Sequence, residues 1–213
     1  MEPKRLSTGG IQWLDRLEGS EWYWGTDATG GDLYEARELY EAESRIDRDR
    51  LIFARFPEGR VYEPVSGEKG RYFGRPVFWE GAVWILAAEF LPERVRILRW
   101  VPGTGEVGEA ACLPLDCAGD FWNLMLCVRP ITLVRQGREN RFQVIWPERG
   151  NFPIEPQESL DGRDGDVLRF SRWHEDPEYR EDAVFRRYPD GAILSRTPGG
   201  LFTDPGGNTW ILN

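Results

Sequence analysis

Several residue types that build catalytic or metal sites are scarce in this chain. It contains one histidine, His174, two lysines and three cysteines, Cys112, Cys117 and Cys127. The cysteines lack the paired Cys-x-x-Cys spacing of a zinc site, and no serine or cysteine lies beside His174 in a nucleophile motif. The sequence therefore disfavours zinc binding and Ser-His-Asp hydrolysis. We expect three free thiols in a reducing compartment, with one disulfide as the alternative.

Long apolar runs and basic patches are also missing. No stretch of 18 apolar residues is present, and residues 1–5 are not followed by the apolar run of a signal peptide. The formal net charge is −9, which disfavours nucleic acid as a partner because nucleic-acid-binding proteins usually carry a basic patch. No Walker loop or dinucleotide fingerprint occurs. We therefore predict a cytoplasmic protein with no cofactor, no membrane partner and no nucleic-acid partner.

Aromatic residues and turn formers are abundant instead, and they combine four times in one short signature. In each copy an aromatic residue closes an apolar run, and a proline and a turn glycine follow. The copies are Phe56-Pro57-Glu58-Gly59, Trp100-Val101-Pro102-Gly103-Thr104-Gly105, Trp146-Pro147-Glu148-Arg149-Gly150 and Tyr188-Pro189-Asp190-Gly191. Proline favours extended geometry in the residue before it, and glycine supplies the positive φ of a tight turn. Each copy therefore predicts a β-hairpin.

The hairpin signature recurs at a nearly constant interval. Its prolines are 45, 45 and 42 residues apart, a period in the range of propeller blades. A second pattern, a glycine leading into an apolar run, recurs between the hairpins. Its copies begin at Gly31, Gly74, Gly119, Gly165 and Gly200. Each copy predicts the start of an innermost strand, and this register assigns a strand to residues 33–40 although their composition favours a helix.

The five strand starts outnumber the four proline hairpins, and the two chain ends complete the pattern. Residues 11–25 have the plan of a hairpin without the proline, and the segment Thr209-Trp210-Ile211-Leu212 resembles Val83-Trp84-Ile85-Leu86. Pairing of this N-terminal hairpin with the C-terminal strands closes a ring and covers two sheet edges. The chain thus resembles a five-bladed β-propeller over its whole length, without resembling a specific propeller family.

This resemblance sets the predicted organisation. The fold class is all-β, with a single β-propeller domain over residues 1–213 that includes a flexible tail at residues 1–10. Residues 157–165 form an acidic connector, and the fourth blade, around Trp173 and His174, is degenerate.

Three aspartates directly follow repeated glycines and would lie together at the mouth of a propeller channel: Asp32, Asp120 and Asp166. Carboxylates held close together favour a bound cation, or at suitable separations the acid and base of a glycosidase. The simpler interpretation is that an aspartate after a glycine caps a turn. The rings of Tyr34, Trp79 and Trp122 follow the same strand starts. They would stack on a ligand or, more simply, fill the core between blades.

The resemblance to propellers extends to sugar-binding lectins and to glycoside hydrolases only at the level of the fold, and a fold does not fix a function. Short loops and the lack of a catalytic motif favour a non-catalytic binding module. We expect it to recognise a protein or carbohydrate partner on the channel-mouth face. The alternative is a hydrolase acting on glycosides through carboxylates around the channel. Whether a metal binds stays open at this stage.

Overall fold

The protein is all-β, as predicted from its sequence. A computed structural model describes residues 3–42, 48–204 and 208–212. Strands make up 51% of the chain and helices 6%. The chain folds into two compact units, Met1–Phe121 and Trp122–Asn213, which are treated separately below. The single-domain assignment stays a prediction.

The first sheet is an antiparallel meander in the first unit. Its strands, in spatial order, are β1 (Asp15–Arg16), β2 (Trp22–Thr26), β3 (Leu51–Arg55) and β4 (Arg60–Tyr62). Helix α1 (Leu33–Glu41) lies between β2 and β3 in the sequence. Strand β3 is buried at its first four residues because, as a central strand, it is covered on both faces.

The second sheet completes the first unit. Its strands are β5 (Arg71–Phe73), β6 (Val77–Trp79), β7 (Ala82–Glu89), β8 (Arg94–Val101) and β9 (Glu106–Pro114). The spatial order is β5-β7-β8-β9, and β6 pairs with β7 as well. A short 3₁₀ helix, Leu115–Ala118, follows. Trp24, Phe53, Phe73, Ile85 and Trp100 belong to one buried cluster of this unit.

The second unit contains two four-stranded meanders and a separate hairpin. The third sheet consists of β10 (Leu124–Cys127), β11 (Thr132–Gly137), β12 (Arg141–Trp146) and β13 (Gly150–Pro153). The fourth consists of β14 (Glu158–Asp164), β15 (Val167–His174), β16 (Arg180–Arg187) and β17 (Ile193–Pro198). Strands β18 (Gly200–Thr203) and β19 (Thr209–Leu212) pair with each other. Phe142, Phe152, Phe170 and Val184 form part of the core.

The proline signature is confirmed as a hairpin in all four copies, and each copy occupies the same place in its sheet. It forms the last turn of the meander, namely β3–β4, β8–β9, β12–β13 and β16–β17. One signature therefore marks one sheet, which explains the interval of 42 to 45 residues.

Two signature glycines also allow close packing in the second unit. A Cβ at Gly150 would overlap the carbonyl oxygen of Pro189, and one at Gly191 would overlap the ring of Phe152. Gly191 also has a φ of +74°, which a side chain disfavours. The third and fourth signatures thus touch each other directly, so the glycines serve packing as well as the turn.

The predicted count of five blades is not supported. Four sheets have four or more strands, and the fifth repeat start yields only the two-stranded β18–β19 hairpin. The N-terminal hairpin supplies β1 and β2 of the first sheet, where Trp24 lies opposite Phe53 of β3. Among the described residues it forms no pairing with β18 or β19, so the predicted closure is not confirmed. The four meanders are propeller-like in strand order.

The strand predicted at residues 33–40 is wrong, since this segment forms α1. The Asp32 side chain accepts a hydrogen bond from the Tyr34 amide at 2.9 Å and caps the helix. Leu33 and Ala36 are buried on one helical face, and Arg37 pairs with Glu41 one turn later. The segment follows its helix propensity. The N-terminal hairpin already supplies β1 and β2, the first two strands of this sheet.

The predicted connector at residues 157–165 is also wrong, because most of it forms β14. Its first residue, Glu158, is 2% exposed, and its carboxylate accepts two hydrogen bonds from Arg186, at 2.6 and 2.8 Å. A buried carboxylate is tolerated when a guanidinium neutralises it. The next strand, β15, is a regular eight-residue strand, so the fourth sheet is not degenerate.

The predicted tail at residues 1–10 is described from residue 3 onward. Residues 3–10 contain no helix or strand. The Gly9 carbonyl accepts a hydrogen bond from Arg50 Nη1 at 3.1 Å, which ties this segment to the first unit.

Replacing Gly150 by alanine should destabilise the protein, because the new methyl group meets the backbone of Pro189 rather than a flexible side chain. We expect a loss of about 1–3 kcal/mol in the free energy of unfolding, as for other overpacked sites. Gly108→Ala is the matched control, since a Cβ there has no neighbour within 4 Å. Urea denaturation of both variants provides the test, and equal stabilities would contradict the close packing of the two signatures.

Candidate functional site

The three aspartates predicted to share one position lie in different local structures. Asp32 caps α1, Asp120 lies four residues before β10, and Asp166 is an exposed turn residue between β14 and β15. The prediction that each opens an innermost strand is wrong, because Asp32 begins a helix and Asp166 precedes the second strand of its sheet. Their role as ligands stays a prediction. Within the described ranges, no group of three or more His, Cys, Asp or Glu residues is arranged to hold a metal ion.

The three aromatic residues predicted beside them are half-buried. Tyr34 is the second residue of α1. The Trp79 carbonyl at the end of β6 accepts a hydrogen bond from Trp84 Nε1 at 3.4 Å. The guanidinium of Arg138 lies 4.0 Å from the ring centre of Trp122. Neither contact distinguishes packing from ligand stacking, so both interpretations stay predictions for all three residues.

A buried ion network in the second sheet is the strongest charge cluster of the first unit. Glu89 is 2% exposed, lies opposite Arg71 on the neighbouring strand and also pairs with Arg94 and Arg96. Burial acts to raise the pKa of Glu89, but hydrogen bonds from Arg94 and Arg71 hold it below its usual value. A carboxylate held ionised by three guanidinium groups joins strands, which is a structural role.

Asp49 is a second buried acid, and it links three segments of the first unit. It is fully buried and accepts hydrogen bonds from the Ala28 amide at 3.2 Å, the Thr29 hydroxyl at 3.1 Å and the Phe73 amide at 3.2 Å. Burial raises the pKa of Asp49 to about 7, and the neighbouring Asp27 carboxylate acts in the same direction. The residue therefore titrates near neutral pH while it holds β5 to the loop after β2.

An open pocket between the first and second sheets is a candidate for a binding site. It has a volume of about 200 Å³. Three aromatic residues line it, one from each of β2, β4 and β6: Trp22, Tyr62 and Phe78. The rest of the lining consists of Glu21, Arg55 and the turn residues Gly81, Pro102 and Gly103. We call this site the turn-side pocket.

The aromatic wall of the turn-side pocket is anchored in the core. Trp22 is 6% exposed, and its ring meets Tyr62 and Trp100 edge to face, with ring centres 5.3 and 5.2 Å apart. Tyr62 and Phe78 are half-buried and pack against the same core. Phe78 rather than its neighbour Trp79 lines the pocket, because successive strand residues point to opposite faces of a sheet.

The charged rim of the turn-side pocket is a single ion pair. Arg55 Nη2 lies 2.6 Å from Glu21 Oε1, and both side chains are about half exposed. The guanidinium carbon of Arg55 lies 6.0 Å from the ring centre of Trp22. The rim thus presents a hydrogen-bond acceptor and a donor side by side, above an aromatic wall.

The sequence did not point to this pocket, because its lining comes from separate segments between residues 21 and 103. One signal was present: Pro102 and Gly103 belong to the second proline signature. As a sequence pattern, the signature predicts only a turn. In this sheet it also forms one side of the pocket.

Comparisons with known proteins do not assign a family. No protein-family profile matches the chain, and no curated protein sequence matches it. Among solved structures, dipeptidyl peptidase 4 of Porphyromonas gingivalis is 12% identical, with a TM-score of 0.43, over 73% of this chain and 24% of that one. An acylaminoacyl peptidase of Pyrococcus horikoshii is 10% identical, with a TM-score of 0.48, over 90% and 34%.

A third likeness is to a structure from a study of two prolyl endopeptidases, with 11% identity and a TM-score of 0.42. It covers 88% of this chain and 29% of that one. The chain therefore spans only a quarter to a third of the length of these three proteins. Peptidase activity is a property of those proteins, and likenesses of this size carry no argument about this one.

The buried Asp49 predicts a specific pH dependence of stability. Its pKa is raised on folding, so its contribution is fully present below the unfolded pKa near 3.8 and is lost as pH rises through about 7. Asp49→Asn keeps the size of the side chain and removes the titration. Between about pH 5 and about pH 8, we expect the wild type to lose up to roughly 3 kcal/mol relative to this variant.

Urea denaturation of both proteins at the two pH values measures this difference. Glu89, which both proteins contain, does not produce this difference. Its lowered pKa gives stability that is lost only as pH falls. Parallel stability profiles for the wild type and Asp49→Asn would show that Asp49 does not titrate in this range.

Proposed function

We propose that the protein is a non-catalytic binding module and that the turn-side pocket takes a carbohydrate. Of the protein and carbohydrate partners expected from the sequence, the pocket favours the carbohydrate. The observation that supports this choice is the half-exposed Glu21–Arg55 pair beside the half-buried rings of Tyr62 and Phe78.

A sugar ring matches this combination of groups. Its C–H face is apolar and can lie against an aromatic side chain such as Phe78. Its hydroxyl groups both donate and accept hydrogen bonds. Glu21 offers acceptors and Arg55 offers donors side by side, so neighbouring hydroxyls can bind both partners.

The charge balance of the rim favours a neutral ligand. Glu21 and Arg55 neutralise each other at 2.6 Å, so the rim presents little net charge to attract a charged ligand. Arg55 also lies over Trp22, so a cation from the protein itself already occupies the approach to that ring. A neutral polyol can bind both rim groups without separating the pair.

The size of the pocket limits the ligand and its affinity. Its volume of about 200 Å³ lies below the range of roughly 300–1,000 Å³ that is typical of sites for drug-sized molecules. One sugar ring can enter, and the rest of an oligosaccharide would lie over the rim. We therefore expect dissociation constants on the order of 1 mM for a single sugar unit, or about −4 kcal/mol.

The lining of the pocket favours binding over cleavage. Glycoside hydrolysis by the common mechanisms needs two carboxyl groups, about 5–10 Å apart, around the scissile bond. The turn-side pocket is lined by one carboxylate, Glu21, and an arginine already binds it. Asp32, from the hydrolase alternative, caps α1.

A larger side chain at the edge of the pocket should weaken binding without unfolding the protein. A Cβ at Gly103 would have no neighbour within 4 Å, and the residue has no positive φ, so Gly103→Leu extends into open space. We expect the affinity for the best-bound sugar to fall by roughly tenfold or more, at least about 1.4 kcal/mol. The melting temperature should stay within about 2 °C of the wild type, as expected for a surface change.

The measurement is saturation-transfer NMR with a panel of neutral disaccharides (maltose, cellobiose, xylobiose, mannobiose and N,N′-diacetylchitobiose), followed by titration of the best ligand. Sialyllactose serves as the charged comparison. Gly108→Leu is the matched control, since its Cβ position is also open but lies on β9 outside the pocket. Failure of every sugar to bind, or equal binding by Gly103→Leu and the wild type, would rule out the proposal.

A further inference from the structure

The β18–β19 hairpin of the second unit carries an apolar face that solvent reaches. Phe202, Trp210 and Leu212 are 46%, 56% and 59% exposed. Phe202 lies directly opposite Trp210, and Gly200 lies opposite Leu212, so these three large side chains share one face. We call this surface the C-terminal apolar face. Exposed clusters of large apolar side chains mark interaction surfaces in soluble proteins.

The hairpin is held by hydrogen bonds among Asp204, Asn208 and Trp210. The Asp204 amide donates to the Asn208 carbonyl at 2.9 Å, and Trp210 Nε1 donates to the Asp204 carboxylate at 3.1 Å. The Asn208 amide groups bind the same carboxylate. Trp210 is therefore oriented by a hydrogen bond, although its ring is exposed.

One edge of the hairpin is open for pairing. Hydrogen-bonded and non-hydrogen-bonded residue pairs alternate along an antiparallel ladder. Counting from the Asp204–Asn208 bond, the alternation directs the backbone groups of Trp210 toward β18 and those of Thr209 and Ile211 away from it. Among the described residues, β19 has β18 as its only ladder partner. Its outer edge thus offers the amide and carbonyl of Ile211 to another strand.

We propose that β19 pairs antiparallel with β19 of a second copy of this chain, with Ile211 at the two-fold axis. In this register the outward amide and carbonyl of Ile211 bond to those of Ile211 in the second copy. Trp210 then lies opposite Leu212 of the second copy on the same face. The two C-terminal apolar faces become one continuous surface.

Charge supports a second copy as the occupant of this edge. The chain carries a net charge of −9, so most self-contacts would bring acidic groups together. The segment Thr209–Leu212 contains no charged residue, so pairing it with itself opposes no like charges. It also lacks the lysine or proline with which proteins commonly protect an edge strand.

Pairing of two hairpins would give a sheet of the same size as three of the others. The first, third and fourth sheets each contain four strands. Two hairpins joined at β19 give the order β18-β19-β19-β18, which is again four strands. The contact is isologous, since the same surface of each copy takes part, and such contacts close into dimers rather than fibres.

The interface is small, and this predicts a weak dimer. Only the edge strand β19 of each copy enters the contact, and the two apolar faces lie side by side rather than against each other. The total area buried by the pair therefore stays below about 1,200 Å², in the range of transient contacts. We expect a dissociation constant on the order of 10 µM, so that dimer and monomer both populate at working concentrations.

The first test is sedimentation velocity of the full chain from about 1 µM to about 200 µM, a range that spans the expected dissociation constant. The wild type should shift from the mass of one copy, 24.6 kDa, toward twice that mass. Trp210→Lys and Leu212→Lys each place an ammonium group opposite an apolar side chain of the second copy and diagonally from the same lysine of that copy, so each should raise the dissociation constant at least about tenfold. Ile193→Lys is the matched control, because Ile193 is 51% exposed but lies on β17.

The second test fixes the register. A hydrogen-bonded antiparallel pair has Cα atoms about 5.5 Å apart, within the range that a disulfide can bridge. Ile211→Cys, in a background of Cys112→Ser and Cys117→Ser, should therefore form a cross-linked dimer under mild oxidation. Leu201→Cys in the same background is the control, because Leu201 lies opposite Ile211 on the inner strand β18.

A wild type that stays monomeric up to about 200 µM, far above the expected dissociation constant, contradicts the proposal. So does a dimer that both lysine variants leave unchanged, or equal cross-linking at residues 201 and 211. These results leave the sugar-binding proposal untouched, since the turn-side pocket lies in the first unit and is tested by separate variants.

Discussion

Strand register is the constraint on which the rest of this structure depends. A shift by one residue turns every side chain of a strand to the opposite face. In each of the four sheets a proline signature fixes the last turn, and the register of the last two strands follows from it. The lining of the turn-side pocket also depends on strand register, because the register of β6 on β7 turns Phe78 rather than Trp79 toward the pocket. The same argument places Trp210 and Leu212 together on one face of the C-terminal hairpin.

Electrostatics is the second constraint, and it determines which polar residues a strand can bury. Glu89 and Glu158 are each 2% exposed; Glu89 binds arginines of the adjacent strands β5 and β8, and Glu158 binds Arg186 of β16, across the intervening strand β15. The near absence of lysine fits this arrangement, because a guanidinium can bind both oxygens of a carboxylate, as Arg186 does for Glu158. Burial raises the pKa of Asp49, because its backbone and hydroxyl donors lower it too little to offset the burial.

The sequence predicted the parts of the fold that depend on local chemistry. All four proline hairpins form where the signature occurs, because proline and glycine restrict the backbone regardless of the surroundings. The strand predicted at residues 33–40 is wrong for the opposite reason. The repeat pattern favours a strand there, but the local helix propensity, reinforced by Asp32 as a cap, determines the structure. The connector predicted at residues 157–165 is wrong because an acidic sequence is typical of a solvent-exposed loop. Here Arg186 neutralises Glu158, and this makes the burial of Glu158 in a strand possible. Neither the partner of Glu158 nor the lining of the turn-side pocket is encoded in neighbouring residues.

Both candidate surfaces lie where the repeat is irregular. The second sheet has an extra strand, β6, beside β7, and Phe78 on that strand forms part of the turn-side pocket. The fifth repeat start forms two paired strands where the other sheets have four or more, and there the C-terminal apolar face is exposed. Regular repeats bury their aromatic residues against the next unit, so a departure from the repeat leaves rings and backbone edges uncovered. In a chain without a catalytic motif, these departures are where we expect binding chemistry.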